Sequence, residues 1–116
     1  PGPTGRISAG SWFPMDLLET NEEYTVTAEI PGVTKENLDL SLEDSVLTIH
    51  VNKPAPEPVQ GESVHTRERV FGEFSRSIRL PRDVDLDAVE AHHEEGVLTV
   101  RLPKREESRP RSITVN

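Results

Sequence analysis

The sequence contains no cysteine and few aromatic residues: Phe, Trp and Tyr make up 4% of its 116 positions. The first absence excludes a disulfide framework and a thiolate-held metal, and it suits a reducing compartment. The second, with a hydrophobic fraction of 33%, limits the core that one short chain can bury, so help from oligomerisation is expected. No apolar run approaches the roughly 18 residues of a membrane span, and no charged, apolar and small-residue series marks a signal peptide. The expectation is a soluble protein of the cytoplasm with no membrane span. The chain starts at Pro1 rather than Met, which reads as a shortened or processed N-terminus. Clustered Lys and Arg are also lacking. The formal net charge is −8 with a pI near 4.9, and the arginines are interleaved with Glu and Asp, so no nucleic-acid partner is expected.

Catalytic signatures are equally scarce. No G-x-S-x-G elbow and no G-x-x-x-x-G-K phosphate cradle occurs, and the carboxylate pairs Glu94–Glu95 and Glu106–Glu107 fall in a turn and in a charged tail, where solvation is their ordinary fate. His92 and His93 are adjacent, but neighbours on a strand point to opposite faces, so the pair is poorly placed to ligate one ion. The reading is therefore not an enzyme, with no cofactor and no metal.

What the sequence does contain is alternation. Residues 1–10 are a Gly, Pro, Ser and Thr rich lead-in. From Tyr24, "YTVTAEI" sets Tyr24, Val26, Ala28 and Ile30 against polar neighbours and ends at Pro31-Gly32, the residues a type II turn takes. "LDLSL" and "VLTIHV" repeat the pattern with Leu38, Leu40 and Leu42, then Leu47, Ile49 and Val51. These three segments read as an antiparallel meander. "NKPAPEPVQGES" is too rich in proline for a central strand and reads as a long loop, followed by "VHTRERV", polar but able to run extended. "EFSRSIRL" is a further strand, and "VEAHHEE" with "VLTVRL" makes a hairpin about Gly96. Gly72 and Gly96 read as turn glycines that supply positive φ. At least six short strands without a helical period predict an all-β fold, an antiparallel sandwich.

Two features stand outside this pattern. Arg76 shares the parity of Phe74, Ile78 and Leu80, which leaves two readings: a stem lying on apolar surface with its guanidinium in water, or a charged pair across a subunit interface. The tail "RPRSITVN" carries Ile113 and Val115 one residue apart after a charged stretch, a strand too short to stand without a partner. It can dock on a neighbouring subunit, dock on its own domain, or remain an unstructured end.

The order of these segments resembles the small heat-shock proteins, specifically their α-crystallin domain of the bacterial and plant type. "WFPMDLLETNEEYTV" is similar to the family's Trp-x-Pro-x-x-Asp opening, and "AEIPGVTKENLDLSLEDSVLTI" to its Pro-Gly-Val and following strands. "RERVFGEFSRSIRLP" resembles the Arg-x-x-x-x-Gly-x-Phe-x-Arg-x-x-x-Leu-Pro stretch, "AHHEEGVLTVRLPK" the Ala-x-x-x-Asn-Gly-Val-Leu box, and "ITV" the Ile-x-Ile/Val anchor. Glu95 stands where the family has Asn or Asp.

The resemblance implies an immunoglobulin-like sandwich acting as an ATP-independent holdase for partly unfolded client proteins. It divides the chain into an N-terminal arm (1–13), an α-crystallin domain (14–104) and a C-terminal extension (105–116). It implies that Ile113 and Val115 enter an edge groove formed by Leu40, Leu42, Val89 and Ala91 of a neighbouring subunit. It also implies a homodimer by exchange of a loop strand, with Asp16, Leu17, Leu18, His65, Arg67 and Arg76 at the interface and Gly32, Gly72 and Gly96 at turns. Such dimers would assemble into a larger homo-oligomer. A co-chaperone or scaffold domain that docks one dedicated folded partner is the alternative on the same sandwich.

Overall fold

Strands alternate with turns in the order the sequence suggests, but the chain changes sheets where a meander would have stayed in one. The computed structural model describes residues 13–116; Trp12 and the lead-in lie outside the described residues. Among the described residues seven strands form: β1 (Met15–Glu19), β2 (Glu23–Glu29), β3 (Leu38–Glu43), β4 (Val46–Lys53), β5 (Gly72–Arg79), β6 (Glu90–Glu94) and β7 (Val97–Pro103). One sheet has the order β1-β2-β7-β6 and the other β3-β4-β5, with every pairing antiparallel. The all-β sandwich is thus the observed architecture.

The meander is corrected in one respect. β2 pairs with β1 and β7, not with β3. The cause is local: Pro31 removes a ladder donor, Gly32 adopts φ +79°, and a 3₁₀ turn over Lys35–Asn37 carries the chain to the opposite sheet. The inward rows of the two sheets then face each other, Val26 and Ala28 of β2 with Leu98, Val100 and Leu102 of β7 against Leu47, Ile49 and Val51 of β4, all nearly or fully buried.

The two tightest hairpins are two-residue turns. Asp44 and Ser45 (φ 52° and 62°) join β3 to β4, and Glu95 and Gly96 (φ 55° and 78°) join β6 to β7. Positive φ at both central positions is the type I′ geometry, whose twist matches that of the strands it joins. A Cβ on Gly96 would meet the Pro31 Cα at 3.3 Å, so this turn also seats the end of β2, where the Ile30 amide donates to the Gly96 carbonyl at 2.7 Å. Gly72 has φ +129° but opens β5 rather than sitting in a turn.

Phe13, grouped with the arm on sequence, is a core residue at 1% exposure. By contrast residues 54–71, including "VHTRERV", form no strand and are exposed apart from a half-buried Phe71. This loop and the tail stand away from the sandwich. The radius of gyration is 18.5 Å, against about 13 Å for a compact domain of this size.

Candidate functional site

The inner faces of β3 and β6, edge strands of opposite sheets, do not close on each other. Register fixes what they present: Leu38, Leu40 and Leu42 sit opposite Val51, Ile49 and Leu47, while Ala91 and His93 sit opposite Val100 and Leu98. Paired residues share a face, so all five point between the sheets. Two cavities run along this edge, one of about 380 Å³ bounded by Lys35, Leu38 and His93, the other of about 240 Å³ bounded by Leu42, Leu86 and Val89. They meet at Leu40 and Ala91, which line both.

The four groove residues named on sequence, Leu40, Leu42, Val89 and Ala91, therefore line one continuous apolar trough. The structure adds Leu38, Leu86 and His93. Leu38 and His93 were legible by parity with Leu40 and Ala91; His93 was weighed only as a metal ligand. Leu86 comes from a 3₁₀ turn over Leu86–Ala88, started by the Asp85 side chain accepting from the Asp87 amide at 3.1 Å, and no alternation marks it.

The C-terminal tail is held at its root and exposed beyond it. Lys104, 8% exposed, donates from Nζ to Glu19 Oε2 at 2.7 Å and lies 5.1 Å from the Tyr24 ring centre. The Arg105 amide donates to the Asp83 carbonyl at 2.7 Å, and Arg109 Nε donates to the Lys104 carbonyl at 3.1 Å. Tyr24 completes the cluster, its hydroxyl donating to the Asp83 carboxylate at 3.0 and 3.2 Å. Burial, reinforced by that carboxylate, pushes the phenol pKa up to about 12. Ile113 and Val115 are 86% and 90% exposed and touch no part of their own groove.

The residues assigned to a dimer interface are not brought together within one chain. Asp16, Leu17 and Leu18 lie on β1, an edge strand, with Leu17 and Leu18 exposed by 48% and 61%. His65 and Arg67 lie in the exposed loop, where the cations of Lys53, Arg67 and Arg69 stand 5.6, 5.5 and 4.9 Å from the Phe71 ring centre. Arg76 takes a course neither reading supplied. Its register partner is Ile49, so its stem lies between the sheets, and Nη1 donates to the Phe13 carbonyl at 3.1 Å.

The histidines are separated as alternation requires. His92 bonds Glu94 on the outer face at 2.9 Å, and His93 points inward. Among the described residues no group of His, Asp and Glu is arranged to hold a metal ion.

The described residues thus form a sandwich with open strand edges and a trough lined largely by apolar side chains. The chain belongs to the Hsp20/alpha crystallin family, whose model matches residues 16–116. It is 38% identical over 101 residues to small heat shock protein C4 of Rickettsia felis, covering 87% of this chain and 62% of that relative, so it spans less than two thirds of the relative's length. A solved small heat-shock protein from Xylella fastidiosa superposes with a TM-score of 0.74 at 28% identity, covering 90% of this chain and 95% of that one. Heat shock protein 16.0 from Schizosaccharomyces pombe does so with a TM-score of 0.71 at 32% identity, covering 90% and 96%.

Proposed function

We propose that this protein is an ATP-independent holdase of the cytoplasm that captures partly unfolded proteins on apolar sheet edges and keeps them from aggregating. The observation that carries the reading is the open trough between β3 and β6, lined largely by apolar side chains yet uncovered in a single chain. An extended apolar segment can lay alternate side chains into such a trough, and extended apolar segments are what unfolding exposes. Membership of the Hsp20/alpha crystallin family supports the same role. A sandwich without cysteine suits a reducing compartment.

In this reading the trough is occupied at rest by a second copy. Residues 105–116 form an extension from the 14–104 body, and Ile113 and Val115, about 7 Å apart along an extended strand, match two cavities that meet at Leu40 and Ala91. Burying both side chains contributes about 3 to 5 kcal/mol before ordering costs, so a single docked tail exchanges readily and several together give avidity. A dimer forms when the loop around His65 and Arg67 reaches β1 of a partner near Asp16, Leu17 and Leu18, with Arg76 close to that contact.

Light scattering from a heat-aggregating client without ATP tests the reading. Suppression near equimolar chain, altered by the Ile113→Ala, Val115→Ala double variant, is the expected result. A chain that leaves client aggregation unchanged, even when its sequence is extended to the length of its relatives, removes the holdase reading in favour of a scaffold for one folded partner.

A further inference from the structure

Among the β3 and β6 side chains whose register aims them between the sheets, His93 is the polar one. Its Nε2 is buried and has no hydrogen-bond partner, while the ring as a whole is half-buried in the cavity it shares with Lys35, Leu38, Leu40, Ala91, His92 and Leu98. The elements that line this cavity give a protonated ring no compensating carboxylate, Glu90 lining only the adjoining one. β3 contributes Leu38 and Leu40, β7 contributes Leu98, and the 3₁₀ turn contributes Lys35, a second cation. On its own strand, Glu90 and Glu94 have the opposite parity and Glu94 is bonded to His92 on the outer face.

We propose that His93 makes occupation of the β3–β6 trough by the Ile113–Val115 segment of a second copy dependent on pH: the neutral ring admits the apolar strand and the imidazolium expels it. This rests on the reading that the tail docks in the trough. In the open trough water can still reach part of the ring and solvate a charge. A docked strand removes that water and turns the side chains of Ile113 and Val115 and its main chain toward the ring, so the charged form is penalised more in the docked state. Docking and protonation then compete, and by linkage tail affinity falls as pH falls through the range in which imidazoles change charge.

The test is fluorescence anisotropy with a rhodamine-labelled peptide of residues 109–116. The acceptor is the full chain carrying Ile113→Ala and Val115→Ala, whose own tail no longer competes. Affinity is expected to fall about fivefold between about pH 7.5 and about pH 5.5, as the imidazole takes up a proton that the docked state disfavours. His93→Phe should flatten this dependence and His92→Gln, on the outer face, should retain it. The same fall in His93→Phe, or no fall in the unmodified groove, overturns the role of His93 while leaving tail docking intact. Absence of binding at either pH overturns tail docking and this inference with it. An NMR titration of the His93 ring gives a second measure that needs no substitution in the trough: saturating peptide should lower its midpoint, and an unchanged midpoint overturns the proposal.

Discussion

The guanidinium of Arg76 on β5 donates to the main-chain carbonyl of Phe13 at 3.1 Å, tying the segment that enters β1 to the inner face of the opposite sheet. Phe13 itself is 1% exposed, so one residue is held both by its ring and by its carbonyl. Arg76→Ala removes a charge-assisted hydrogen bond to a part-buried carbonyl, at an expected cost of about 1.5 to 3 kcal/mol in denaturant unfolding. Arg76→Met, which keeps much of the stem, should recover part of the packing but not the bond. An unfolding midpoint unchanged in Arg76→Ala would show that the bond contributes nothing.

Tyr24 gives the fold a signature at high pH. Its phenol titrates at about 12 in the folded chain against an ordinary 10.0, so the folded state keeps its proton after the unfolded state has lost it. The associated stability is fully present below about pH 10 and is lost as pH rises through about 12. Because the chain has one tyrosine, tyrosinate absorbance follows this group alone. Tyr24→Phe should abolish the titration, flatten stability across that window, and cost about 1 kcal/mol at neutral pH for the lost bond to Asp83. A midpoint at the ordinary tyrosine value would sink this account.

Glu95 occupies a left-handed conformation, φ 55°, that an unbranched acidic side chain does nothing to favour. Glu95→Asn, which tolerates that region, is expected to stabilise the β6–β7 hairpin by about 0.5 to 1 kcal/mol, read as a higher denaturation midpoint. A lower midpoint would mean that Glu95 makes a compensating interaction.

The tail should be invisible to folding and visible to assembly. With Ile113 and Val115 at 86% and 90% exposure, replacing both by Ala is expected to change unfolding free energy of the body by less than about 0.5 kcal/mol. The mass measured by light scattering should fall in the same variant. Loss of stability without loss of mass would place the tail on its own domain.

How much of this was legible in sequence depends on whether a residue's environment is set by its neighbours along the chain. β2, β4 and β7 each bury one face, and Val26, Ile49 and Val100 at 0% exposure left a period-two record that reads directly. The same alternation gave the groove residues Leu40, Leu42, Val89 and Ala91 their facing once the family resemblance named the trough. Sheet membership left no such record: "YTVTAEI" and "LDLSL" look alike, and only the geometry of residues 31–37 sends them to different sheets. Phe13 and Arg76 were unreadable for a related reason. Their partners lie 63 residues apart in sequence, and no local pattern encodes a bond between a side chain and a distant carbonyl. Leu86 was missed because a 3₁₀ turn has neither the period of a strand nor that of a helix.

The pairing of β2 with β7 sets Glu23 against Pro103 and Val26 against Val100, so the central ladder of one sheet joins opposite ends of the chain. During synthesis β3, β4 and β5 can pair as they emerge, whereas β2 has only β1 beside it until the last strand leaves the ribosome. Among the described strands that ladder spans the greatest sequence separation, and so carries the largest loop-closure cost. A protein whose proposed task is to shield other chains while they lack partners thus passes through a stage in which its own second strand is paired along one edge only.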